Sequence, residues 1–519
     1  MLSLTHFVQR AGRINCHGPA TICAGRRRNW GEVSDRIGRT AAALRDLSLA
    51  DGDRVALLMP NSDTMFEYLF AVAWAGGVVV PLNQRLAPPE ISHALEDCGA
   101  RILVTTQDFV ASLADFRSTL PALAHIIILD GTNGADGALA HEALIADALP
   151  IADAGRGGDD LYALFYTSGT TGEPKATMIT HAGLFVNILQ WIAGVGVTGQ
   201  DRFLIIPPMF HAAGAANSIA VAALAATACI LPRFDLLEGL RLIQEERLTK
   251  LPLIATMLDM MLRHPRFAEF DLSSVSRITY GASPIPEELL ERAMAALPGA
   301  RFYQIYGQTE SGPTVTVLPH EYHVTRGPFA GKLKSAGIPF IGVEVCILDD
   351  AGNPLPPDAT GEIAVRGPGV SPGYWRQPEA TAAARCQDWW RTGDAGHLDT
   401  DGFLYVTDRV KDMIISGGEN IYPAEIERVL LDHEAVAECA VIGIPDDQWG
   451  EQVHAIVRLV ADQSATAEML AAHCRAHLAA YKCVRSFEFR TEPLPLTPSA
   501  KVLKRELRKP WWQGRERQI

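Results

Sequence analysis

Three absences limit the function of this 519-residue chain. The nine cysteines contain no Cys-x-x-Cys pair, so a disulfide framework is not expected and a reducing compartment is favoured. Residues 1–30 lack the apolar run of a secretory signal, because Arg10, Arg13 and residues 26–28 interrupt them. Basic residues are the minority charge, and a net charge of −14 repels polyphosphate backbones. We expect a cytoplasmic protein without nucleic acid as its main partner.

Charged side chains are missing from residues 203–232, a stretch long enough to raise the question of a membrane span. Pro207, Pro208, His211 and Asn217 interrupt it, and many of its other residues are alanines. A buried strand–loop–helix–strand is therefore expected, and no integral membrane segment.

Apolar content is high, at 48%, and the length excludes a single small module. From residue 30 to about 305, short apolar runs alternate with helical patterns, which is typical of parallel sheets covered by helices. We predict two α/β layers, the second beginning with the strand Leu161 to Tyr166. Beyond about 325 the pattern is antiparallel β, and the last hundred or so residues form a small α+β unit. The predicted domains are residues 1–409 and 410–519.

The strongest chemical motif is a loop rich in glycine and hydroxyl groups directly after an apolar strand. Backbone N–H groups freed by glycine, side-chain hydroxyls and one lysine suit polyphosphate oxygens. Pro174 and Ala176 exclude a Walker A motif, and a polar turn without a ligand is the alternative. The predicted phosphate-binding residues are Thr167, Ser168, Gly169, Thr170, Thr171, Gly172 and Lys175.

Four further motifs follow in order along the chain. They are Tyr306-Gly307-Gln308-Thr309-Glu310, Trp390-Arg391-Thr392-Gly393-Asp394, Asp408 to Asp412 together with Gly417 to Glu427, and Pro498 to Lys504. With these motifs the sequence resembles the AMP-forming adenylating enzymes, which include acyl-CoA synthetases and firefly luciferase. The resemblance covers residues 25–508. It departs from the common pattern at Ala176, Gln308 and Ser499-Ala500, which puts loop flexibility and pocket shape in doubt.

The resemblance implies an α/β fold: a large N-terminal domain of two α/β subdomains plus a distorted β-barrel, and a small mobile α+β C-terminal domain. It implies that Lys411 is the hinge and that Lys501, Thr309, Glu310 and His211 are catalytic. Gly417, Gly418 and Trp449 would contact CoA. The implied acyl pocket comprises Phe210, His211, Ala213, Gly281, Gly307 and Gly312. Besides the phosphate loop, the implied ATP-binding residues are Gly281, Ala282, Ser283, Tyr306, Gly307, Gln308, Thr309, Asp394, Arg409 and Lys501.

Several of these residues also have a chemical rationale. Glu310 follows the predicted strand 302–306, where open parallel sheets bind ligands, and its carboxylate suits Mg²⁺. Asp394 can accept hydrogen bonds from both ribose hydroxyls. Each has a plainer alternative: a solvated glutamate, and a turn-forming aspartate. For His211 the alternative is a buried structural histidine, and for Trp449 a half-buried packing role.

We therefore predict an ATP-dependent acyl-CoA ligase, an acid–thiol ligase that forms an acyl adenylate with Mg²⁺ and transfers the acyl group to coenzyme A. The predicted acid is a medium- or long-chain fatty acid. An aryl acid of the benzoate or cinnamate type, and loading of a carrier protein, stay open as alternatives. A non-catalytic nucleotide sensor is a rival from another class, and the presence of both Glu310 and Lys501 argues against it, because binding alone would need neither. The other partners are small molecules, and a homodimer stays open.

Overall fold

The computed structural model describes most of the chain. The described residues are 2–113, 120–131, 137–168, 174–281, 285, 287–349, 351–409, 414–421, 423–461, 463–495, 502 and 504–513. We call residues 2–409 the body and residues 414–513 the cap.

The first sheet of the body is built from residues before 181. It has seven strands in the order β7-β6-β5-β3-β4-β8-β9, all parallel except the β8–β9 hairpin. The helices of this stretch are α1 Thr5–Ile14, α2 Trp30–Asp46, α3 Asp63–Trp74, α4 Pro88–Cys98, α5 Gln107–Leu113 and α6 His141–Ala146. The strands of the same stretch are β1 Pro19–Cys23, β2 Arg26–Asn29, β3 Arg54–Leu58, β4 Val78–Pro81, β5 Ile102–Thr105, β6 His125–Ile128, β7 Leu139–Ala140, β8 Leu161–Ser168 and β9 Pro174–Thr180. Of these, β1 and β2 belong to the second sheet.

The second sheet has nine strands in the order β16-β15-β14-β13-β12-β10-β11-β1-β2, parallel from β14 to β1. Its further strands are β10 Arg202–Ile205, β11 Thr227–Ile230, β12 Lys250–Leu253, β13 Arg277–Gly281, β14 Arg301–Tyr306, β15 Thr316–Leu318 and β16 Ile338–Pro339. The helices between them are α7 His181–Val195, α8 Ala212–Leu224, α9 Leu236–Glu245, α10 Ala255–Arg263 and α11 Glu287–Ala296.

The sequence predicted one strand correctly but assigned it to the wrong sheet. Leu161 to Tyr166 belongs to β8, which pairs with β4 in the first sheet and does not open the second layer. The hairpin with β9 explains the difference, because it closes the first sheet before the chain crosses over through α7. The second sheet is completed by β1 from the N-terminal region, a long-range pairing that local periodicity does not reveal.

Helices shared by the two sheets form the centre of the body. Every residue of α3 is buried, because this helix is covered on all sides. Its neighbour α2 begins with a capping box between Asn29 and Glu32 and buries Val33, Ile37 and Leu44 at helical spacing. The uncharged residues 203–232 contain β10, α8 and β11, as the sequence predicted. In the described part of the chain, the search for a helix long and apolar enough to cross a membrane finds none.

An antiparallel half-barrel follows the two sheets. Its strands are β17 Glu344–Leu348, β18 Gly361–Arg366, β19 Arg385–Cys386, β20 Trp389–Leu398 and β21 Leu404–Arg409, with the short helix α12 Pro378–Ala383. The cap has a sheet of its own, ordered β23-β22-β25-β24 with β26 beside β25. Its strands are β22 Ile414–Ser416, β23 Glu419–Ile421, β24 Val436–Asp446, β25 Gly450–Leu459 and β26 Ser486–Arg490, and its helices are α13 Pro423–Leu431, α14 Ala467–His477 and α15 Lys504–Arg508.

The predicted fold class is confirmed: mixed α/β sheets, a half-barrel and a small C-terminal unit. The cap packs a separate apolar core from Ile414 to Val484. The exact domain boundary at residues 409 and 410 stays a prediction, since residues 410–413, with the predicted hinge Lys411, lie outside the described residues. All nine cysteines are described and free.

Candidate active site

The second sheet ends its parallel strands in a cluster of predicted site residues. Gly281 is the last residue of β13, and Tyr306 is the last residue of the neighbouring β14. Gly307 and Gln308 lead from β14 into a single 3₁₀ turn, Thr309–Ser311. The carboxyl ends of parallel strands are where open α/β sheets bind ligands. This edge therefore forms the floor of the candidate site.

Glu310 is buried and linked to the first sheet. Its Oε1 accepts hydrogen bonds from Thr167 Oγ1 at 2.9 Å and from Tyr374 Oη at 3.3 Å. Lys175 pairs with Thr167 across the β8–β9 hairpin, and its Nζ lies 5.2 Å from the centroid of the Tyr374 ring. The hairpin loop 169–173 and the Ser168 side chain lie outside the described residues. The structure thus brings Thr167, Lys175 and Glu310 together, as the sequence predicted.

Glu310 is also the predicted magnesium ligand. Within the described ranges, no group of three or more His, Cys, Asp or Glu side chains could hold a metal ion. A single carboxylate beside a phosphate-binding hairpin nevertheless fits Mg²⁺, which is usually bound by one or two carboxylates together with substrate phosphates and water. The residues present are compatible with a nucleotide-borne ion and not with an all-protein metal cage.

Asp394 joins the half-barrel to the second sheet. It is buried in β20, and its Oδ2 accepts a hydrogen bond of 2.8 Å from Tyr306 Oη. Gln308 Nε2 donates to the carbonyl oxygen of Thr392 at 3.3 Å, next to the same point. Arg409 lies opposite Asp394 in the β20–β21 register, although its side chain is not described. The motif that begins at Tyr306 in the second sheet and the motif that ends at Asp394 in the half-barrel are therefore in contact.

Three predicted pocket glycines are required by the backbone itself. A Cβ on Gly281 would lie 2.1 Å from the carbonyl oxygen of Ile305, and one on Gly307 would lie 2.5 Å from that of Pro313. Gly312 has a φ of +81°, which favours glycine. Close chain packing accounts for these glycines without any ligand. Their neighbours Ala282 and Ser283 lie outside the described residues.

His211 lies in the loop after β10, one of the parallel strands of the second sheet, and is not the buried structural histidine of the alternative interpretation. It is the N-cap residue of α8, and 48% of its side chain is exposed. Phe210 is buried, with its ring centroid 4.6 Å from that of His211, and Ala213 is exposed on the first turn of α8. His211 Nε2 lies 3.4 Å from Glu419 Oε2 of the cap.

The cap loop that carries Glu419 reaches the body directly. Burial would raise the pKa of Glu419, but hydrogen bonding to His211 and the charges of His211 and Arg85 hold it below its usual value. Arg85 forms an ion pair with Glu419 from the body side. A Cβ on Gly418 would lie 2.4 Å from Ile254 Cδ1, just before α10. The three predicted CoA-contact residues lie together, because Gly417 N–H donates to the Trp449 carbonyl oxygen at 2.9 Å.

Sequence reasoning missed the rest of the contact between body and cap. Lys482 of the cap donates to Glu90 Oε1 at 2.8 Å and to Glu425 Oε1 at 2.7 Å. Burial raises the pKa of Glu425 to about 7 against the opposing effect of Lys482, and Glu90 adds to the rise. A glutamate at the third position of a helix that begins with proline reads as an ordinary cap, so only the three-dimensional structure reveals this cluster.

A second missed residue is Lys250, the only charged residue of β12. It is fully buried, and its Nζ donates to Asn217 Oδ1 of α8 at 2.6 Å. The rings of Trp191 and Phe203 flank it at 4.8 and 5.6 Å. Burial lowers the pKa of this lysine to about 7, with a weaker opposing effect of Asp201. The sequence offered one signal for this residue, namely a single lysine in an otherwise apolar strand.

Comparison with known proteins identifies the family. The model of the AMP-binding enzyme family matches residues 8–375, and the model of its C-terminal domain matches residues 425–501. The chain belongs to the AMP-binding enzyme family. The predicted enzyme class, an AMP-forming acyl-CoA synthetase, is confirmed, and ATP and CoA are the cosubstrates of this family.

Two curated relatives cover almost the whole chain. A feruloyl-CoA synthase from Amycolatopsis sp is 39% identical over 96% of this chain and 97% of its own length. The long-chain-fatty-acid–CoA ligase FadD13 of Mycobacterium tuberculosis (strain ATCC 25618 / H37Rv) is 36% identical over 93% of each chain. Members of this AMP-binding family with similar overall likeness to the chain thus differ in their named acids.

Two solved structures of the o-succinylbenzoate CoA synthetase MenE from Bacillus subtilis differ in their likeness to this chain. A double mutant bound with the product analogue OSB-NCoA gives a TM-score of 0.85 at 31% identity, covering 97% of this chain and 98% of its own. The complex with the acyl-adenylate intermediate OSB-AMP gives a TM-score of 0.70 at 32% identity, covering 96% and 97%.

Proposed function

We propose that this AMP-binding enzyme activates a hydroxylated aryl acid as its acyl adenylate and transfers the acyl group to coenzyme A. The observation that carries the choice of acceptor is the position of the Gly417-Gly418-Glu419 loop. In this structure the loop reaches the body at Ile254, Arg85 and His211, and two of these residues, Ile254 and His211, follow the parallel strands β12 and β10 of the second sheet. The higher TM-score against the product-analogue complex than against the acyl-adenylate complex supports the same view.

For the first half-reaction, we assign the nucleotide to the edge where Glu310 and Asp394 lie. The 167–175 hairpin and Thr309 bind the phosphates, and Asp394 with Arg409 binds the ribose. Mg²⁺ held by Glu310 would neutralise phosphate charge. The substrate carboxylate attacks the α-phosphorus, the α–β phosphoanhydride bond breaks, and pyrophosphate leaves. Lys501, predicted from the sequence and outside the described residues, offsets the repulsion between these anions.

For the second half-reaction, the cap occupies the position seen here. The CoA thiol enters beside Gly417, Gly418 and Trp449, loses its proton to water, and its sulfur attacks the adenylate carbonyl. A C–S bond forms, the mixed anhydride C–O bond breaks, and AMP leaves. His211 and Glu419 lie at the junction of the two parts, where they can orient the groups that meet there. The proposed alternation between the two positions requires rotation near Lys411.

The acid is assigned from Lys250 and Asn217. Asn217 Nδ2 donates to the Ala213 carbonyl oxygen at 2.9 Å, so it lies one helical turn, about 5 Å, along α8 from the predicted pocket residue. A fatty chain offers no hydrogen-bonding partner to the half-buried Asn217 side chain, and burying a polar group without a partner costs free energy. A phenolic hydroxyl at the far end of an arylpropenoic acid can hydrogen-bond to Asn217, whose Oδ1 is held by the buried Lys250 amine. We therefore favour the aryl alternative over the fatty acid that the sequence suggested.

A panel of acids assayed for pyrophosphate and AMP release, with and without CoA, tests the proposal. We expect hydroxylated cinnamic acids to be consumed fastest and product AMP to accumulate only when CoA is supplied. AMP release driven by a carrier protein but not by CoA would contradict the acceptor, and a preference for hexadecanoic acid would contradict the acid. If no acid yields AMP, the adenylation proposal fails. The domain division, cytoplasmic location and oligomeric state stay predictions.

A further inference from the structure

The contact between body and cap contains a buried ionic cluster. Lys482 of the cap is only 2% exposed, and its ammonium donates to Glu90 of the body and to Glu425 of the cap. Both carboxylates are buried as well. Removing one partner of a buried ion pair is strongly destabilising, because the remaining charge is left without compensation. The arrangement therefore depends on all three side chains.

Glu90 binds the cap through both of its carboxylate oxygens. Oε1 accepts from Lys482, while Oε2 accepts the backbone N–H of Ala479 at 2.8 Å. Oε2 also accepts the N–H of Ala87 at 2.8 Å, which fixes the side chain to the first turn of α4. Glu90 is thus held in place by its own helix, and its two carboxylate oxygens accept hydrogen bonds from the cap segment 479–482.

The surrounding contacts belong to the same interface. Asn83 Nδ2 donates to the Tyr481 hydroxyl at 3.0 Å, and Arg85 pairs with Glu419. Lys482 and Glu425 both belong to the cap, so they move together if the cap rotates, whereas Glu90 remains with the body. Only a cap in the present orientation can use Glu90 as a partner for both Lys482 and the Ala479 amide.

We propose that Glu90 is a positioning residue for thioester formation, acting as a body-side latch that holds the cap with Gly418 and Glu419 against Ile254 and His211 of the body. This inference rests on the proposed function, in which the cap adopts a different orientation for adenylation. Glu90 lies in α4, apart from the predicted nucleotide and acyl residues. Its loss should consequently affect one half-reaction and spare the other.

The test compares Glu90→Gln with Glu96→Gln, an equal charge change at an exposed position of the same helix. Thioester formation from supplied acyl adenylate and CoA should fall about tenfold or more in Glu90→Gln, since one buried charge partner is lost. Acid-dependent exchange of pyrophosphate into ATP should stay within about twofold of wild type, which also shows that the variant is folded. Glu96→Gln should match wild type in both assays. Equal losses in both half-reactions, or no loss in thioester formation, would overturn the latch.

A second measurement does not depend on catalysis. Hydrogen–deuterium exchange of peptides covering residues 478–484 reports the Ala479 amide that Glu90 binds. We expect faster exchange there in Glu90→Gln and unchanged exchange in Glu96→Gln. Unchanged exchange in Glu90→Gln would refute the latch even if the enzyme proved to use another acid or acceptor. Conversely, faster exchange in a protein that formed no AMP would show that Glu90 holds the cap in place and would refute the proposed function alone.

Discussion

The imidazole of His211 in the body lies 3.4 Å from the carboxylate of Glu419 in the cap. Arg85, which also belongs to the body, forms an ion pair with the same carboxylate. The negative charge of the cap loop therefore contacts positive charge on the body. Glu419 is nearly buried although His211 is half exposed. The contact therefore fixes the cap loop to the body at a point that solvent still reaches on the His211 side.

This contact predicts a selective defect for Glu419→Gln. The amide keeps the shape of the side chain but loses its charge, which weakens its pairing with Arg85 and His211. We expect thioester formation to slow while pyrophosphate exchange is retained. A double-mutant cycle with Arg85→Gln supplies the control, because residues in direct contact give non-additive losses. Strictly additive effects would show that the Arg85–Glu419 pair does not hold the cap loop.

Replacing Gly418 should also slow thioester formation, for a steric reason in place of an electrostatic one. Its φ of +80° disfavours any other residue by about 1–2 kcal/mol, and a Cβ would also press on Ile254 of the body. Gly418→Ala should slow thioester formation several-fold, with little effect on adenylation, in rapid-quench measurements of each step. The matched control is Gly402→Ala: its φ is +83°, but no atom lies within 4 Å of the added Cβ. Similar kinetic losses in both variants would assign the defect to general backbone strain.

The residues of the candidate site that belong to recognisable motifs could be predicted from the sequence. Alternating apolar runs predicted the strands, and the resemblance to a known family predicted that Thr167, Glu310 and Asp394 share one site. The sequence could not reveal contacts between residues that no motif marks and that only packing across sheets brings together. The pairing of β1 with β11 joins residues about 200 positions apart, and no local pattern records such a register.

The same limit applies to the contact between body and cap. Glu90 and Lys482 are 392 positions apart, and each has an ordinary explanation in its own neighbourhood. For two glycines, the sequence suggested a role in binding where the structure shows a packing constraint. Gly281 and Gly307 were predicted to line the acyl pocket, yet their nearest constraint is the protein backbone. Residue type alone cannot separate these two causes.

Glu425 predicts a pH dependence of stability. Its pKa is raised to about 7 in the folded protein from an ordinary value near 4.5, so the folded state retains a proton that the unfolded state releases. The stability from this group is present below about pH 4.5 and is lost as pH rises through 7. Glu425→Gln cannot lose that proton. The melting temperature of the variant, minus that of wild type, should therefore increase between pH 5 and 8.

The control for this titration is Glu434→Gln, at an exposed cap position, which should give a difference independent of pH. Glu90→Gln should also reduce the wild-type dependence, because Glu90 contributes to the raised pKa. A pH-independent difference for Glu425→Gln would contradict the assigned protonation.

Lys250 predicts selectivity between acids. Lys250→Met keeps the length of the side chain and removes the amine, so the Trp191 and Phe203 rings still have an apolar partner. We expect kcat/KM for 4-hydroxycinnamic acid to fall about tenfold, because Asn217 loses the hydrogen bond that orients it toward the substrate hydroxyl. Cinnamic acid without the hydroxyl should be little affected or improved. An equal loss for both acids would assign Lys250 to folding and reopen the fatty-acid alternative.

Lys501 and Glu90 predict opposite defects in the two half-reactions. Lys501→Ala should abolish adenylation, because no cation then offsets the repulsion between carboxylate and phosphate, yet it should still convert supplied acyl adenylate and CoA to thioester. Glu90→Gln should retain adenylation and slow thioester formation about tenfold or more. Lys509→Ala offers a control lysine at an exposed position of the same C-terminal segment. Mixing the two defective enzymes with acid, ATP and CoA should restore some product if free acyl adenylate passes between them. Loss of both steps in Lys501→Ala would contradict the alternation of the cap between two working positions.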